Sequence, residues 1–581
     1  MFEQKRAYWR SLDNAAKLFS AASSPKDTRV FRFYCELKEE VEENALQEAL
    51  DQTIEKYPVF LSVMRKGLFW HYLEKSELRP IVRKEYKEPC SSLYVRDKKT
   101  LLFEVTYYKK RINFEVFHAL TDGTGATEFL RELVKNYLHL VHKDELEPVE
   151  LSDQYLTVKD QEDDSFSRYY DPDFPRKKKK KIKAFQIKKN GKGYEELQVN
   201  EATVPVKELL GISREKGVSM SVLLTTAFIC AIHEEMSRIQ EKKPVILMVP
   251  VNLRKIFPSD SMLNFFGYIE PGYQFGEEKD SFEDVLEAVK IYFRENLSKE
   301  HMAGRMNELI AIEKHKILKW APLELKNRCI RAGAKMAEQE VTAVLSNMSV
   351  VKMPEDYADY IEKFGVYTST NIQRNFYRIL TELGVQVTVT EADFPEDAKV
   401  NYEGKKVLQI FTFCCIAAIV LSMMTDIIIS PGVHWSVYVA SGCATMWFTM
   451  AVGYVKRFNL LKNAAWQLLI MSGICVLWDL GTGWRGWSVN IGIPDICLLI
   501  QIVMLIISRI RSLSPREYMI YYVMASVYSM ILPFVLLMTG VIRYRTPSVI
   551  CIGCSFLLMI GLIMFKRKEF KEEMHKKFHV G

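Results

Sequence analysis

The stretch from Phe114 to Gly125 holds the residues whose types and spacing best suit chemistry. It reads FEVFHALTDGTG, and its alternating apolar residues predict a strand that ends at His118. The pair Asp122-Gly123 predicts a turn before a helix. A histidine at a strand end can serve as a general base, because its ordinary pKa of about 6.5 lets it accept a proton near neutral pH. These residues alone support a purely structural role for His118 as well as they support a catalytic one.

The elements that must position this stretch belong to a mixed α/β region. Alternation predicts a strand over 30–37, and apolar residues at helical spacing predict helices over 43–56 and 124–139. A second block of helices and strands occupies 201–400, and its late strands are predicted at 341–351 and 367–374. The sequence therefore predicts two blocks of similar composition.

Residues 161–200 separate these two blocks, and we predict that they form a crossover linker. Seven of the eight residues from Arg176 to Lys183 are basic. A solvated charge run is the plain interpretation. Contact with anionic lipid headgroups, or with the phosphates of a ligand, is the alternative.

The charge and hydropathy of the 581-residue chain divide it into two regions. Residues 407–581 hold 15 Lys and Arg against 7 Asp and Glu, whereas residues 1–406 hold 64 against 65. The formal net charge of +7 therefore comes from the apolar C-terminal region and does not indicate a nucleic-acid surface. A composition of 48% hydrophobic residues with 11 cysteines excludes disordered and disulfide-scaffold classes.

The C-terminal region contains apolar runs of the length that crosses a bilayer. We predict six spans, at about 407–425, 433–455, 463–480, 490–508, 518–542 and 546–565. Lys and Arg concentrate in alternate connections, which predicts that both termini and the N-terminal region are cytoplasmic. Asp426 and Asp479 would lie at membrane depth, where an ionisable residue suggests function, but their positions at span ends favour a structural role.

The motif HxxxDG at His118–Gly123 resembles the signature of the chloramphenicol acetyltransferase-like superfamily, which includes peptide-synthetase condensation domains, plant acyltransferases and alcohol acetyltransferases. Met248–Arg254 and Asn264–Gly267 are similar to the family's second-half strand and its following turn, and Leu345–Pro354 is similar to a later strand. Condensation domains carry two adjacent histidines where this chain has Phe117-His118, which favours acetyltransferase chemistry. The resemblance covers about 1–395 and leaves the membrane region outside, as in membrane-tethered bacterial members.

The resemblance implies an α/β, two-layer pseudo-dimer of halves 1–160 and 201–400, followed by an all-α six-helix transmembrane domain at 401–581. It implies transfer of an acyl group, acetyl by preference, from acyl-CoA or a carrier-protein thioester. His118 would be the general base, Asp122 would pair with Arg254, and Gly123 would permit a tight turn. Weaker candidates for the oxyanion donor or substrate contacts are Ser346, Asn347, Thr370 and Asn264, with ordinary strand hydrogen bonding as the alternative for the first three.

The implied partners are an acyl thioester, an alcohol, amine or lipid acceptor, and membrane lipids, with no bound cofactor, metal or nucleic acid. The rate should rise with pH through a group with a pKa of about 6–7, since the imidazole must be neutral. Two alternatives stay open. The enzyme could assemble a glycolipid or lipopeptide, or the N-terminal region could be a silent binding module that regulates the membrane domain.

Overall fold

The computed structural model describes most of the chain and divides it near residue 398 into two compact units. The described residues are 9–24, 27–95, 97–151, 157–175, 182–187, 200–276, 280–313, 319–348, 350–368, 380–391, 393–395, 403–429 and 434–578. Two predictions, Thr370 as a substrate contact and the basic run at 176–181, fall outside these residues.

The N-terminal unit mixes strands and helices, as its hydrophobic periodicity predicts. Its strands are β1 (Trp9–Ser11), β2 (Val30–Leu37), β3 (Ser62–Lys66), β4 (His71–Lys75), β5 (Arg83–Lys84), β6 (Phe103–Tyr108), β7 (Arg111–Phe117), β8 (Asn200–Thr203), β9 (Val245–Asn252), β10 (Phe266–Ile269), β11 (Gly272–Tyr273), β12 (Ala343–Val344), β13 (Ile361–Thr368) and β14 (Thr388–Glu391). Its helices are α1 (Asn14–Ala22), α2 (Glu43–Lys56), α3 (Gly123–Val141), α4 (Val158–Gln161), α5 (Ser165–Arg168), α6 (Val206–Glu215), α7 (Met220–Glu234), α8 (Phe282–Asn296), α9 (Lys299–Glu313), α10 (Leu323–Glu338) and α11 (Glu355–Ala358).

The sheet that carries the HxxxDG motif has the strand order β13-β2-β7-β6-β5. Its central strand β7 is buried along its whole length, and alternate residues such as Phe114 and Val116 pack on Phe129 and its neighbours in α3. Burial of these aromatic and branched side chains, each contributing about 1.5–3 kcal/mol, fixes the register of β7. The strand therefore ends at a defined point, directly before His118.

The second half of the N-terminal unit has a smaller sheet in which β9 pairs with β10, β11 and β12. Its strand β13 instead joins the first sheet, antiparallel to β2. The first sheet is therefore completed by a strand from residues 201–400. The predicted pseudo-dimer stays a prediction. The late strands also differ from expectation, since β12 spans two residues and β13 begins at Ile361 rather than Tyr367.

The C-terminal unit consists, in its described residues from 403 onward, of helices joined by short connections. Its helices are α12 (Glu403–Ile429), α13 (Ser436–Val455), α14 (Leu460–Gly481), α15 (Ile493–Ile510, preceded by a π-helical turn at Ser488–Gly492), α16 (Pro515–Met538), α17 (Arg545–Phe565) and α18 (Arg567–Lys577). Within the described part of this unit, five segments are long and apolar enough to cross a membrane: Lys406–Ile429, Leu460–Gly481, Ser488–Ile510, Glu517–Met538 and Arg545–Phe565. Helix α13, the second predicted span, is not among them, so the count of six stays a prediction. In the N-terminal unit, α6 and α7 meet the same criterion only as a pair, bent by 91°.

Two buried carboxylates of the C-terminal unit hold the start of a following helix. Asp479 accepts hydrogen bonds from the backbone nitrogens of Arg485 (2.9 Å) and Ser488 (3.1 Å) and from the Ser488 hydroxyl (2.7 Å). Asp426 accepts from the backbone nitrogen (3.3 Å) and the hydroxyl (2.6 Å) of Ser436 in the same way. These carboxylates satisfy backbone donors at helix starts, which have no partner inside the helix. Their contacts are those of structural residues.

Candidate active site

His118 stands at the point where the buried strand β7 gives way to a turn. Its backbone nitrogen donates a hydrogen bond to the carbonyl oxygen of Arg29 (2.9 Å), which continues the pairing of β7 with β2 by one residue. Its neighbours Phe117 and Ala119 are buried at 0% and 1% exposure, whereas His118 keeps partial exposure. The strand thus presents one imidazole at the edge of a rigid core.

Three aromatic rings surround the imidazole of His118. Phe19 of α1 stacks on it with ring centroids 4.1 Å apart, and Phe31 of β2 meets it edge-on at 4.8 Å. Phe266 of β10 lies at 5.7 Å. Burial among these rings lowers the pKa of His118 below its ordinary 6.5, and the negative charge of Asp122 only partly opposes this. The expected pKa of about 6–7 therefore has to be revised downward.

Asp122 and Arg254 form a buried ion pair between the two halves of the N-terminal unit. The Arg254 Nη1 atom lies 2.7 Å from Asp122 Oδ2, and the two side chains are 11% and 5% exposed. The other carboxylate oxygen, Oδ1, accepts from the backbone nitrogens of Thr124 (3.1 Å) and Gly125 (3.2 Å) and so caps α3. The structure therefore brings together the pair that the resemblance implies.

Arg254 also holds the loop at 261–265 in place. Its Nη2 atom donates to the carbonyl oxygens of Leu263 (2.6 Å) and Ser261 (2.8 Å). The backbone nitrogen of Phe265 donates to Asp122 Oδ2 (2.9 Å), which ties the end of the loop to the same carboxylate. Since a guanidinium offers five donors in a fixed plane, one side chain can order several carbonyls at once. The ion pair therefore fixes the position of the loop that carries Asn264.

Asn264 contacts His118 itself. Its Oδ1 atom lies 3.0 Å from His118 Nδ1, and its Nδ2 atom donates to Asp13 Oδ2 at 3.1 Å. Each end of its amide is engaged by a protein group, and substrate binding by Asn264 stays a prediction. With Nδ1 occupied in this way, Nε2 is the nitrogen on which a proton transfer would have to occur.

Asp13 is a buried residue of this site that the sequence did not predict. It is 2% exposed, and burial raises its pKa to about 7; the charge of Asp164 adds to the rise, whereas Arg10 opposes it. Its other oxygen, Oδ1, accepts from the backbone nitrogen of Ala16 (2.7 Å) and caps α1. The sequence Ser-Leu-Asp-Asn-Ala-Ala at 11–16 contains this capping signal, which could have located α1 but not its contact with Asn264.

The two glycines that begin α3 are required by close approach rather than by backbone conformation. Gly123 does not have a positive φ, so the expected tight turn is not the reason for a glycine there. A Cβ atom at Gly123 would lie 2.5 Å from the terminal methyl of Met348, the flexible end of a side chain. A Cβ atom at Gly125 would lie 2.2 Å from Thr121 Oγ1 and 2.7 Å from the backbone oxygen of Met262. Gly125 is therefore the more restrictive position.

The two described candidates for an oxyanion donor make other contacts. The Asn347 amide donates to the hydroxyl of Ser221 (3.2 Å), and the Ser346 hydroxyl lies 3.6 Å from the sulfur of Met348. Both residues are exposed. These contacts do not direct their polar atoms to His118, and the oxyanion donor stays unassigned.

Comparison by sequence is informative for the C-terminal unit alone. Residues 394–580 match a family model described as a family of unknown function, DUF6320. No curated protein matches the sequence of the chain. The family model covers the helical unit and does not reach the site around His118.

Comparison by structure finds acyltransferase and condensation-domain folds. The chain is similar to polyketide synthase associated protein 5 from Mycobacterium tuberculosis (14% identity, 61% of this chain and 86% of that chain, TM-score 0.40). It is similar to the TRI3 trichothecene 15-O-acetyltransferase of Fusarium sporotrichioides (11%, 64% and 88%, 0.41). A third match is the first condensation domain of the calcium-dependent antibiotic synthetase with a substrate analogue (13%, 62% and 85%, 0.40).

Proposed function

We propose that this protein is a membrane-anchored acyltransferase in which His118 is the general base. The observation that carries the proposal is the environment of the imidazole. His118 keeps partial exposure at a strand end, its Nδ1 atom is held by Asn264, and its pKa is lowered by burial. These are the properties of a histidine that is neutral at physiological pH and has a fixed orientation.

The reaction that suits such a base is transfer of an acyl group from a thioester to a hydroxyl or amine. His118 Nε2 takes the proton of the acceptor as its oxygen or nitrogen forms a bond to the carbonyl carbon. The carbon–sulfur bond then breaks, and the imidazolium returns the proton to the departing thiolate. The acyl donor is acyl-CoA or a carrier-protein thioester, used as a substrate and not as a resident cofactor, and acetyl is our first choice of acyl group.

The helical C-terminal unit supplies the membrane anchor in this proposal. Its apolar segments have the length of a bilayer, and the alternating loop charges favour both termini in the cytoplasm. A bilayer-bound enzyme can receive its acceptor along the membrane, so a lipid acceptor is included. Cysteine labelling that places the 456–462 loop and the N-terminal unit on opposite sides of the membrane would contradict this orientation.

The proposal is tested with full-length protein in nanodiscs and a panel of acyl-CoA donors of increasing chain length. Free thiol release measures donor consumption, and mass spectrometry of lipids and small esters from cells with and without the gene identifies the acceptor. We expect His118→Ala to lower turnover about 10²-fold or more, since the acceptor loses its base.

His233→Ala is the matched control, because His233 is a partly exposed histidine of the same unit that pairs with Glu241 (3.1 Å). It should keep normal turnover. A folded His118→Ala protein with normal turnover would contradict the role of His118 as general base, whereas a natural protein that consumes no thioester would favour a silent binding module. A product that is a glycolipid or lipopeptide would assign the enzyme to assembly of such molecules.

A further inference from the structure

A chain of two hydrogen bonds runs from Asp13 to the imidazole of His118. Asp13 Oδ2 accepts from Asn264 Nδ2 at 3.1 Å, and Asn264 Oδ1 lies 3.0 Å from His118 Nδ1. Asp13 and Asn264 are separated by 251 residues and are 2% and 1% exposed. Three distant parts of the sequence thus meet in one buried polar chain inside the N-terminal unit.

The direction of every hydrogen bond in this chain follows from the carboxylate. An ionised carboxylate can only accept, so the Asn264 amide must turn its nitrogen toward Asp13. The oxygen of the same amide then faces His118, and it can only accept. His118 Nδ1 must therefore carry the proton, which leaves the lone pair on Nε2. The ring also bonds to the backbone carbonyl of His118 itself, which can only accept and favours the same tautomer. The charge at position 13 adds to this preference in a ring that it does not touch.

The surroundings of the chain keep its members in place. Arg254 orders the 261–265 loop, so Asn264 cannot easily withdraw from His118. Asp13 caps α1, and the same helix places Phe19 against the face of the imidazole. Helix α1 therefore acts on His118 twice, at the ring face through Phe19 and at the ring edge through Asn264.

We propose that Asp13 is a positioning residue that fixes the productive tautomer of His118 through Asn264. The expected effect on rate rests on the proposed function, whereas the effect on the tautomer does not. Asp13 contacts no reacting atom in this arrangement and acts only through the orientation of an amide.

Asp13→Asn tests the directions of these hydrogen bonds with a side chain of the same shape. The introduced amide must still turn its oxygen toward the backbone nitrogen of Ala16, so its nitrogen faces Asn264. Asn264 is then expected to rotate and turn its own nitrogen toward His118. The ring would have to accept at Nδ1 and carry its proton on Nε2, where it blocks the base. We expect kcat to fall about 10-fold or more, because a base in the wrong tautomer cannot take the proton.

The tautomer is read directly by ¹⁵N NMR of the histidine-labelled full chain in nanodiscs, with His118→Ala assigning the signal. At a pH well above 7, where Asp13 is ionised, we expect protonation at Nδ1 in the natural protein and at Nε2 in Asp13→Asn. Asp284→Asn is the matched control, since Asp284 accepts from the backbone nitrogen of Ser281 at the start of α8 (3.3 Å). It should change neither the tautomer nor kcat.

Exchanging the two side chains separates positioning from folding. In the double variant Asp13→Asn with Asn264→Asp, the amide at position 13 donates to the new carboxylate, and that carboxylate accepts from His118 Nδ1. The Nδ1-protonated tautomer and most of kcat should return, although each single substitution lowers kcat. An unchanged tautomer in Asp13→Asn, or a double variant no better than the singles, would overturn the positioning role. A correct tautomer pattern in a protein without thioester turnover would instead overturn the proposed function alone.

Discussion

The two units of the protein bury carboxylates for different purposes. In the N-terminal unit, Asp122 binds Arg254 from 132 residues away and Asp13 binds Asn264 from 251 residues away. In the C-terminal unit, Asp426 and Asp479 bind serines only 10 and 9 residues further along. The first pair of contacts joins separate segments around one imidazole, and the second pair closes local turns between helices.

This difference shows that burial alone does not identify a functional carboxylate. Asp479 is as deeply buried as any residue of the site, at 0% exposure, yet it binds Arg485 and Ser488, which lie only 6 and 9 residues further along the chain. Asp122 caps a helix too, but its second oxygen is committed to distant groups. The separation in sequence between a carboxylate and its partners is the property that distinguishes the two units.

The largest expected effect that would test this comparison is loss of the Asp122–Arg254 pair. Arg254→Ala leaves Asp122 buried without its cation and removes four hydrogen bonds to the carbonyl oxygens of Ser261, Leu263 and Phe265. Breaking such a pair costs about 3–5 kcal/mol of unfolding free energy. The double variant Asp122→Asn with Arg254→Ala should lose less unfolding free energy than the sum of the two single losses. A double-mutant cycle measured by chemical unfolding should therefore give a large coupling energy.

Additive effects of Asp122→Asn and Arg254→Ala would contradict the comparison. They would mean that the two residues stabilise separate parts of the fold, as the local carboxylates of the C-terminal unit do. The same variants should also lose acyl transfer, because the loop that carries Asn264 is released.

The second largest loss of stability is expected from substitution of Gly125, which lies outside the HxxxDG motif. Gly125→Ala would place a methyl group against Thr121 and the backbone of Met262, and such overpacking typically costs about 1–3 kcal/mol. Gly123→Ala meets only the mobile end of Met348 and should cost less. Thermal unfolding of both variants measures the difference. A larger loss in Gly123→Ala would contradict the packing argument.

The pH dependence of the rate sharpens the comparison further. Burial lowers the pKa of His118, so its neutral form persists below pH 6.5 and His118 itself should not limit the rate near pH 7. Burial raises the pKa of Asp13 to about 7, and a protonated Asp13 no longer fixes the direction of the Asn264 amide. We therefore expect the rate to rise with pH through about 7 in the natural protein.

Asp13→Asn should remove this step in the pH profile and leave a lower rate whose remaining acid limb lies below pH 6.5. The measurement is kcat/KM between pH 5 and pH 9 for both proteins. Asp164 and Arg10, which shift the pKa of Asp13, and Asp122 and Arg29, which act on His118, are unchanged in this comparison. An acid limb at the same pH in both proteins would assign the titration to a group other than Asp13.

The central strand and the motif-bearing residues could be predicted because their signals are local. Alternation in Phe114 and Val116 defines β7, and the resemblance connects Asp122 with Arg254. The partner of β13 could not be read in this way, since pairing with β2 depends on a segment about 330 residues earlier in the chain. Asp13 was missed for the same reason, because an aspartate before a helix is indistinguishable in sequence from an ordinary cap. Phe19 likewise has the pattern of a core residue.

The smallest expected effect comes from the carboxylate of the C-terminal unit. Asp479→Asn keeps one oxygen to accept from Arg485 but replaces the oxygen that accepts from Ser488 with an amide nitrogen. Weakening such a cap costs about 1 kcal/mol of unfolding free energy. We expect thermal unfolding of the full chain in nanodiscs to shift down by a few degrees at most. Acyl transfer should keep its natural rate and pH profile, because the contacts of Asp479 end within the next turn. A folded Asp479→Asn protein that loses acyl transfer while Asp284→Asn keeps it would show that a local carboxylate can also be functional, and the distinction between the two units would fail.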